Sequence, residues 1–207
     1  TIKKLMNLIV LEPPAAGKGT QARRLGARRG LKHLPAGEML RTEVASGSEL
    51  GGNLKSVMDA GQLVPDNVMV AMIAARIRAP DCANGFVLEG FPRTVAQAEA
   101  LDAMLGERKI SLDHVIQIVV NQEAMVERVS GRMECDQCGM SYHETLDPPF
   151  LAGECDDCAG TEFVRRPEDQ PEKVRARLIA YDEKTAPLLP YYRERGVLNQ
   201  VDGTASV

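Results

Sequence analysis

The stretch Asn7-Leu8-Ile9-Val10-Leu11-Glu12-Pro13-Pro14-Ala15-Ala16-Gly17-Lys18-Gly19-Thr20 decides how the rest of the chain is read. Residues 7–11 are a short apolar run bounded by loop residues, the pattern of a strand buried on both faces. Prolines and small residues end it, and residues 19–29 then carry the spacing of an amphipathic helix. The same order recurs downstream. Residues 86–88 and 114–120 are further apolar runs, and residues 197–201 form a last short strand before Asp202-Gly203. Helical patterns fill residues 37–60, 66–78, 95–105, 122–129 and 171–195, with Pro171 suited to a first helical turn. Strands alternating with helices predict an α/β fold with a parallel sheet covered on both faces.

A chain of 207 residues is long enough for a real core, with 44% AVILMFWYC and 26% charged residues. Its 25 Lys+Arg against 29 Asp+Glu give a net charge of -4. That balance argues against nucleic-acid or membrane partners, which call for a basic surface, and leaves room for a basic cleft around a small anion. No run approaches the roughly 18 apolar residues of a membrane span, and the first residues carry no signal-peptide core, so a cytoplasmic protein is expected.

Three segments carry chemistry. The loop after the first strand is similar to the phosphate-binding pattern G-x-x-x-x-G-K-[ST], in which backbone N–H groups at a helix N-terminus surround an anion. Lys18 would supply a mobile charge for the outer phosphates, and Thr20 would stand near the metal and inner phosphates. Leu88-Glu89-Gly90-Phe91-Pro92-Arg93-Thr94 follows another strand and offers an arginine suited to bidentate phosphate binding. Gly37-Glu38-Met39-Leu40-Arg41 adds a second arginine, ahead of Gly61-Gln62-Leu63-Val64-Pro65-Asp66.

Residues 131–160 interrupt the alternation with a segment rich in Cys, Asp, Gly and Pro. Cys135-x2-Cys138-x16-Cys155-x2-Cys158 is the spacing of a tetrahedral ribbon site with four thiolates. Such a closed site has no position for substrate, so the metal is expected to be structural. Zinc is the expected ion, and iron could use the same ligands. His143 is expected to pack rather than ligate, and Cys82 reads as a small apolar residue.

In this order and spacing, the motifs resemble the adenylate kinase family of nucleoside monophosphate kinases over residues 7–204. Val129-Ser130-Gly131-Arg132, residues 166–169, Arg175-Ala176-Arg177 and Asp202-Gly203-Thr204 extend the resemblance. It implies a P-loop NTPase fold: a parallel five-stranded sheet flanked by helices, with an AMP-binding insertion and a zinc-ribbon lid. The core would comprise residues 1–34, 65–130 and 170–207, the insertion residues 35–64 and the lid residues 131–169. The implied reaction is ATP + AMP = 2 ADP with Mg2+, by a monomer. Ala15, Ala16, Gly17, Lys18, Gly19 and Thr20 would bind the ATP phosphates, and Arg128 would cover its adenine. Ala36, Val64 and Gly90 would line the AMP site, with Arg41 and Arg93 on its phosphate and Gln97 reading its base. Arg132, Arg166 and Arg177 would close over the phosphates, Glu168 and Asp169 would hold the lid arginines, and Glu89 would orient magnesium through water. Lys18, Arg93, Arg132, Arg166 and Arg177 are thus the catalytic set. In-line positioning and charge neutralisation need no nucleophile–base pair.

The chain departs from the family at demanding places. Glu12 and Ala15 stand where the loop has glycines, Ala36 where a hydroxyl residue contacts AMP, Pro35 where Ser is usual, and Glu38 and Glu89 where Asp is usual. A carboxylate roughly 6 Å from a phosphate charge is repelled by about 3 kcal/mol at an effective dielectric of 20. An Ala in the left-handed region costs about 1–2 kcal/mol. Alternative readings are therefore a nucleotide-binding homologue with impaired or lost catalysis, or a kinase for another monophosphate. A nucleic-acid ribbon is disfavoured because Glu134, Asp136, Glu154, Asp156 and Asp157 would repel phosphate.

Overall fold

A computed structural model describes residues 5–11, 13, 18–59, 64–120, 125, 128–165 and 169–203. Five parallel strands form the main sheet: β1 (Met6–Leu11), β2 (Lys32–Pro35), β3 (Gly85–Glu89), β4 (His114–Val119) and β8 (Leu198–Asp202), in the order β2-β3-β1-β4-β8. Successive side chains of a strand point to opposite faces. Ile9, Leu11, Phe86 and Leu88 accordingly join Phe91, Leu101 and Val115 in one buried cluster, and Leu8, Val10 and Val87 join Ala22, Leu31 and Ile118 in the other. Each such side chain contributes roughly 1.5–3 kcal/mol by leaving water. The two layers are what the near-continuous apolar runs require.

The helices are α1 (Lys18–Arg29), α2 (Ala36–Ala45), α3 (Glu49–Asp59), α4 (Asp66–Ile77), α5 (Val95–Glu107), α6 (Pro171–Ala180) and α7 (Leu188–Glu194). Among the described residues, none is long and apolar enough to cross a membrane. Of the helix expected over residues 122–129, only Met125 and residues 128–129 are described, and both Met125 and residues 128–129 are helical.

Three features differ from the expected pattern. The single helix over residues 37–60 is two helices, because Ser48 caps α3: its Oγ accepts from Gly51 N at 2.9 Å. Gly47 between them has φ +71°. The helix over residues 171–195 is interrupted by a π turn at Tyr181–Thr185, closed by Ala186 N donating to Tyr181 O at 2.8 Å. Pro187 explains the break, since it has no N–H and its ring opposes the carbonyl four residues earlier. Finally, β2 has no apolar alternation to announce it. It is an edge strand, where a terminal Pro35 is tolerated.

The inserted module holds a separate antiparallel sheet of β5 (Arg132–Cys135), β6 (Ser141–His143) and β7 (Phe163–Val164), in the order β6-β5-β7. Its buried cluster is small: Cys135, Tyr142 and Cys155, with Met133, Cys138, Met140 and Phe163 partly buried beside them. Arg23 of α1 reaches across to it, its Nη1 lying 2.6 Å from Met140 Sδ.

Candidate functional site

From β1 the chain passes β3 to reach β2 on one side of the sheet, while from β3 it passes β1 to reach β4 on the other. Ligands of open α/β sheets bind at such a switch point, beyond the carboxyl ends of the strands. Pro35 and Val10 are the register partners of Glu89, so three strands end together. Ala36 and α2 follow Pro35 at once, and α1 opens the helix that the phosphate loop feeds. A Cβ built on Gly19 would lie 3.8 and 4.0 Å from the two Glu89 carboxylate oxygens. Glu89 therefore faces the first turn of α1. Its Oε2 lies 2.7 Å from His33 Nε2, whose ring N–H donates because an ionised carboxylate can only accept. A carboxylate at this place is an oxygen donor of the kind that Mg2+ would take.

Arg93 follows the turn at Gly90, whose φ of +76° suits glycine. The Arg93 Nε donates to the Gly90 carbonyl at 2.9 Å, and Arg93 N donates to Gln97 Oε1 at 2.7 Å. Gln97 in turn donates from Nε2 to Asp66 Oδ1 at 2.8 Å, and its backbone N–H is capped by Thr94 Oγ1 at 3.1 Å. Gln97 is only 2% exposed. The carboxamide assigned to the nucleobase thus also holds the Arg93 backbone. Loss of hydration among surrounding protein atoms lowers the Arg93 pKa, and the Glu89 carboxylate pulls it back up. The residue is exposed, so that loss is partial, and the guanidinium stays charged.

Arg41 is exposed on α2, Ala36 is fully buried at its start, and Val64 is buried in the main core. Arg128 is half-buried. Arg132 and Asp169, which the family resemblance pairs, lie together, through Nε to Oδ2 at 2.7 Å and a second bond from Nη2 to Oδ1. Asp169 is the more buried partner, at 6% against 18%. Glu12, Ala15, Ala16, Gly17, Arg166, Glu168 and Thr204 lie outside the described residues, as do the side chains of Lys18, Thr20 and Arg177. His33, Asp66 and Thr185 were not legible as site residues, since nothing in their local sequence marks a partner 31 to 92 positions away.

The four lid cysteines converge, with all their sulfurs within 4.8 Å of one another. Cys135 and Cys158, and likewise Cys138 and Cys155, are 3.5 Å apart at sulfur. Tetrahedral bonds of about 2.3 Å to a central ion imply sulfurs about 3.8 Å apart, so the four donors fit a tetrahedral thiolate site. The two pairs sit on matching turns. Cys135 N donates to Met140 O and Gly139 N to Cys135 O. Cys155 N donates to Gly160 O and Ala159 N to Cys155 O. The residue after each second cysteine is left-handed: Gly139 at φ +71° and Ala159 at φ +60°.

Burial raises the Cys155 thiol, but a hydrogen bond from Tyr142 and the backbone N–H groups of Asp157 and Cys158 outweigh it, to about 6. Burial pushes Cys138 up to about 12. The Tyr142 hydroxyl sits 3.3 Å from Cys155 Sγ while accepting from Asp156 N at 2.7 Å, so it braces that thiol from behind. His143 does not join the four-cysteine cluster; its Nδ1 accepts from Thr145 N at 3.1 Å and Leu146 N at 3.0 Å.

The family model described as adenylate kinase matches residues 10–197. The chain belongs to the adenylate kinase family. A relative named adenylate kinase from Paramagnetospirillum magneticum is 53% identical over 202 residues, covering 98% of this chain and 93% of that protein. Relatives of the same name from Novosphingobium aromaticivorans and Archaeoglobus fulgidus are each 48% identical over 202 residues, covering 98% of this chain and 94% and 93% of theirs. The fold expected of an adenylate kinase, a five-stranded parallel sheet flanked by helices, is the one observed. The four-cysteine cluster fits the long lid of that family.

Proposed function

We propose that this chain transfers the terminal phosphoryl group of ATP to AMP, giving two ADP, in the cytoplasm and as a monomer. The observation that supports the reading is the approach of Glu89 to the first turn of α1 beside the Gly90–Arg93 turn, in a chain of this family. Lys18 and the backbone of residues 15–20 bind the ATP phosphates, with Arg128 over its adenine. Arg41 and Arg93 grip the AMP phosphate through charge-assisted bonds, and Ala36, Val64, Gly90 and Gln97 bound the rest of that nucleotide. Arg132, held by Asp169, closes with Arg166 and Arg177 over the phosphates and excludes water. When bound, Mg2+ neutralises charge on the phosphates, and Glu89 would hold it through water. Zinc, the commoner ion for four thiolates, would be held by Cys135, Cys138, Cys155 and Cys158 and would fix the shape of the lid.

ADP formation from ATP and AMP with Mg2+, measured beside Lys18→Ala, tests the reaction. Turnover that Lys18→Ala largely abolishes is expected. Tight nucleotide binding without ADP formation would leave a binding homologue whose Glu12 and Ala15 have cost it catalysis, and a Glu12→Gly, Ala15→Gly double variant would then restore turnover.

A further inference from the structure

We infer that Thr185 is a positioning residue for Arg93, an inference that rests on the proposed role of Arg93 at the AMP phosphate. The Thr185 hydroxyl donates to the Arg93 carbonyl at 2.9 Å, across 92 residues of sequence. It sits at the end of the π turn Tyr181–Thr185. Such wide turns recur at functional sites, where they re-aim a side chain that a regular helix would point elsewhere. Here the turn lies between α6, which bears Arg177, and α7, which is anchored in the core by Leu188 and Tyr192.

Arg93 is thereby held at three points. Gln97 accepts from its backbone N–H, Gly90 accepts from its Nε, and Thr185 donates to its carbonyl. The first anchor runs on to Asp66 at the start of α4, next to the insertion. The third runs to the C-terminal helical arm. Because the carbonyl is solvent-exposed, water can satisfy it when Thr185 is removed, so the bond adds little to global stability. Its effect falls on the orientation of the peptide that aims the guanidinium. A displaced bidentate donor loses affinity for a phosphate even when the fold is intact.

The test compares Thr185→Val, which keeps the shape and removes the donor, with Thr185→Ser, which keeps the donor. Arg93→Lys serves as reference. Thr185 is half-buried at a turn, so both variants are expected to melt close to the unaltered chain. Thr185→Val is expected to raise the KM for AMP by about three- to tenfold, the scale of one hydrogen bond, with the KM for ATP unchanged. Thr185→Ser is expected to restore it. An unchanged KM for AMP in Thr185→Val, equal losses for both nucleotides, or a failure of Thr185→Ser to rescue would each overturn the inference. If Arg93→Lys itself leaves AMP use untouched, the reading of Arg93 has failed instead, and Thr185 with it.

Discussion

The main sheet and the lid are held together by different physics. In the sheet, Ile9, Phe86, Val87 and Leu88 are almost wholly removed from water, and two apolar layers sandwich the strands. The lid buries Cys135, Tyr142 and Cys155 and leaves Phe150 92% exposed and Leu151 58% exposed. A module of that size cannot offset its conformational entropy by burial, and its four converging sulfurs offer the donor set with which the proposed zinc would take the place of a core. The contrast teaches that one chain can rest its sheet on apolar burial while its inserted module gathers four cysteines in place of a large core.

Stripping the metal is the severest way to break this comparison. Structural zinc sites contribute about 10–16 kcal/mol of apparent binding energy in small peptides. Hydrogen exchange after chelation, or in Cys138→Ser, is expected to lose the protected amides of β5 and β6 while β1 and β3 stay protected. Simultaneous loss in both sheets would show that the lid is not a separate unit of stability.

Phenylalanine truncation is the next test. Phe86→Ala, at a site 2% exposed, is expected to cost about 3–5 kcal/mol in urea unfolding. Phe150→Ala is expected to change global stability by less than about 0.5 kcal/mol. A large effect at Phe150 would mean that the lid has a covered core after all.

The matching cysteine turns give a smaller and signed comparison. Gly139 and Ala159 occupy equivalent left-handed positions, and a Cβ on Gly139 would meet nothing within 4 Å. Backbone strain alone then predicts opposite effects: Gly139→Ala weakens the lid by about 1–2 kcal/mol, and Ala159→Gly strengthens it by a similar amount. Metal-release midpoints under a competing chelator measure both.

Within the core, the Tyr192 hydroxyl is buried without a hydrogen-bond partner among the described residues, although Tyr191 beside it donates to Asp102 at 2.8 Å. Tyr192→Phe is expected to be neutral or to raise stability by about 1 kcal/mol, because it removes an uncompensated polar group. A loss in thermal melting would reveal a partner for that hydroxyl.

Much of this molecule was legible in the order of its residues. Apolar runs at residues 7–11 and 86–88 announced buried strands because burial on both faces needs continuous apolar sequence. The run at 114–120 announced a strand that buries Val115 and Ile118 but leaves His114 and Val119 exposed. The cysteine spacing announced the four-sulfur cluster, because two residues between paired cysteines suit a tight turn that brings both sulfurs to one side. Local chemistry also held signals that went unread: Ser46-Gly47-Ser48 carries the cap that divides α2 from α3, and Pro187 the break before α7. The tertiary structure alone decided that Lys32–Pro35 is an edge strand, since its one partner, β3, is distant in sequence and must be brought beside it by the fold. It alone joined His33 to Glu89, Gln97 to Arg93 and Asp66, and Thr185 to Arg93. Periodicity, caps and ligand spacing act within a few residues and are written locally. Hydrogen bonds spanning tens of positions depend on which strand ends the topology brings side by side.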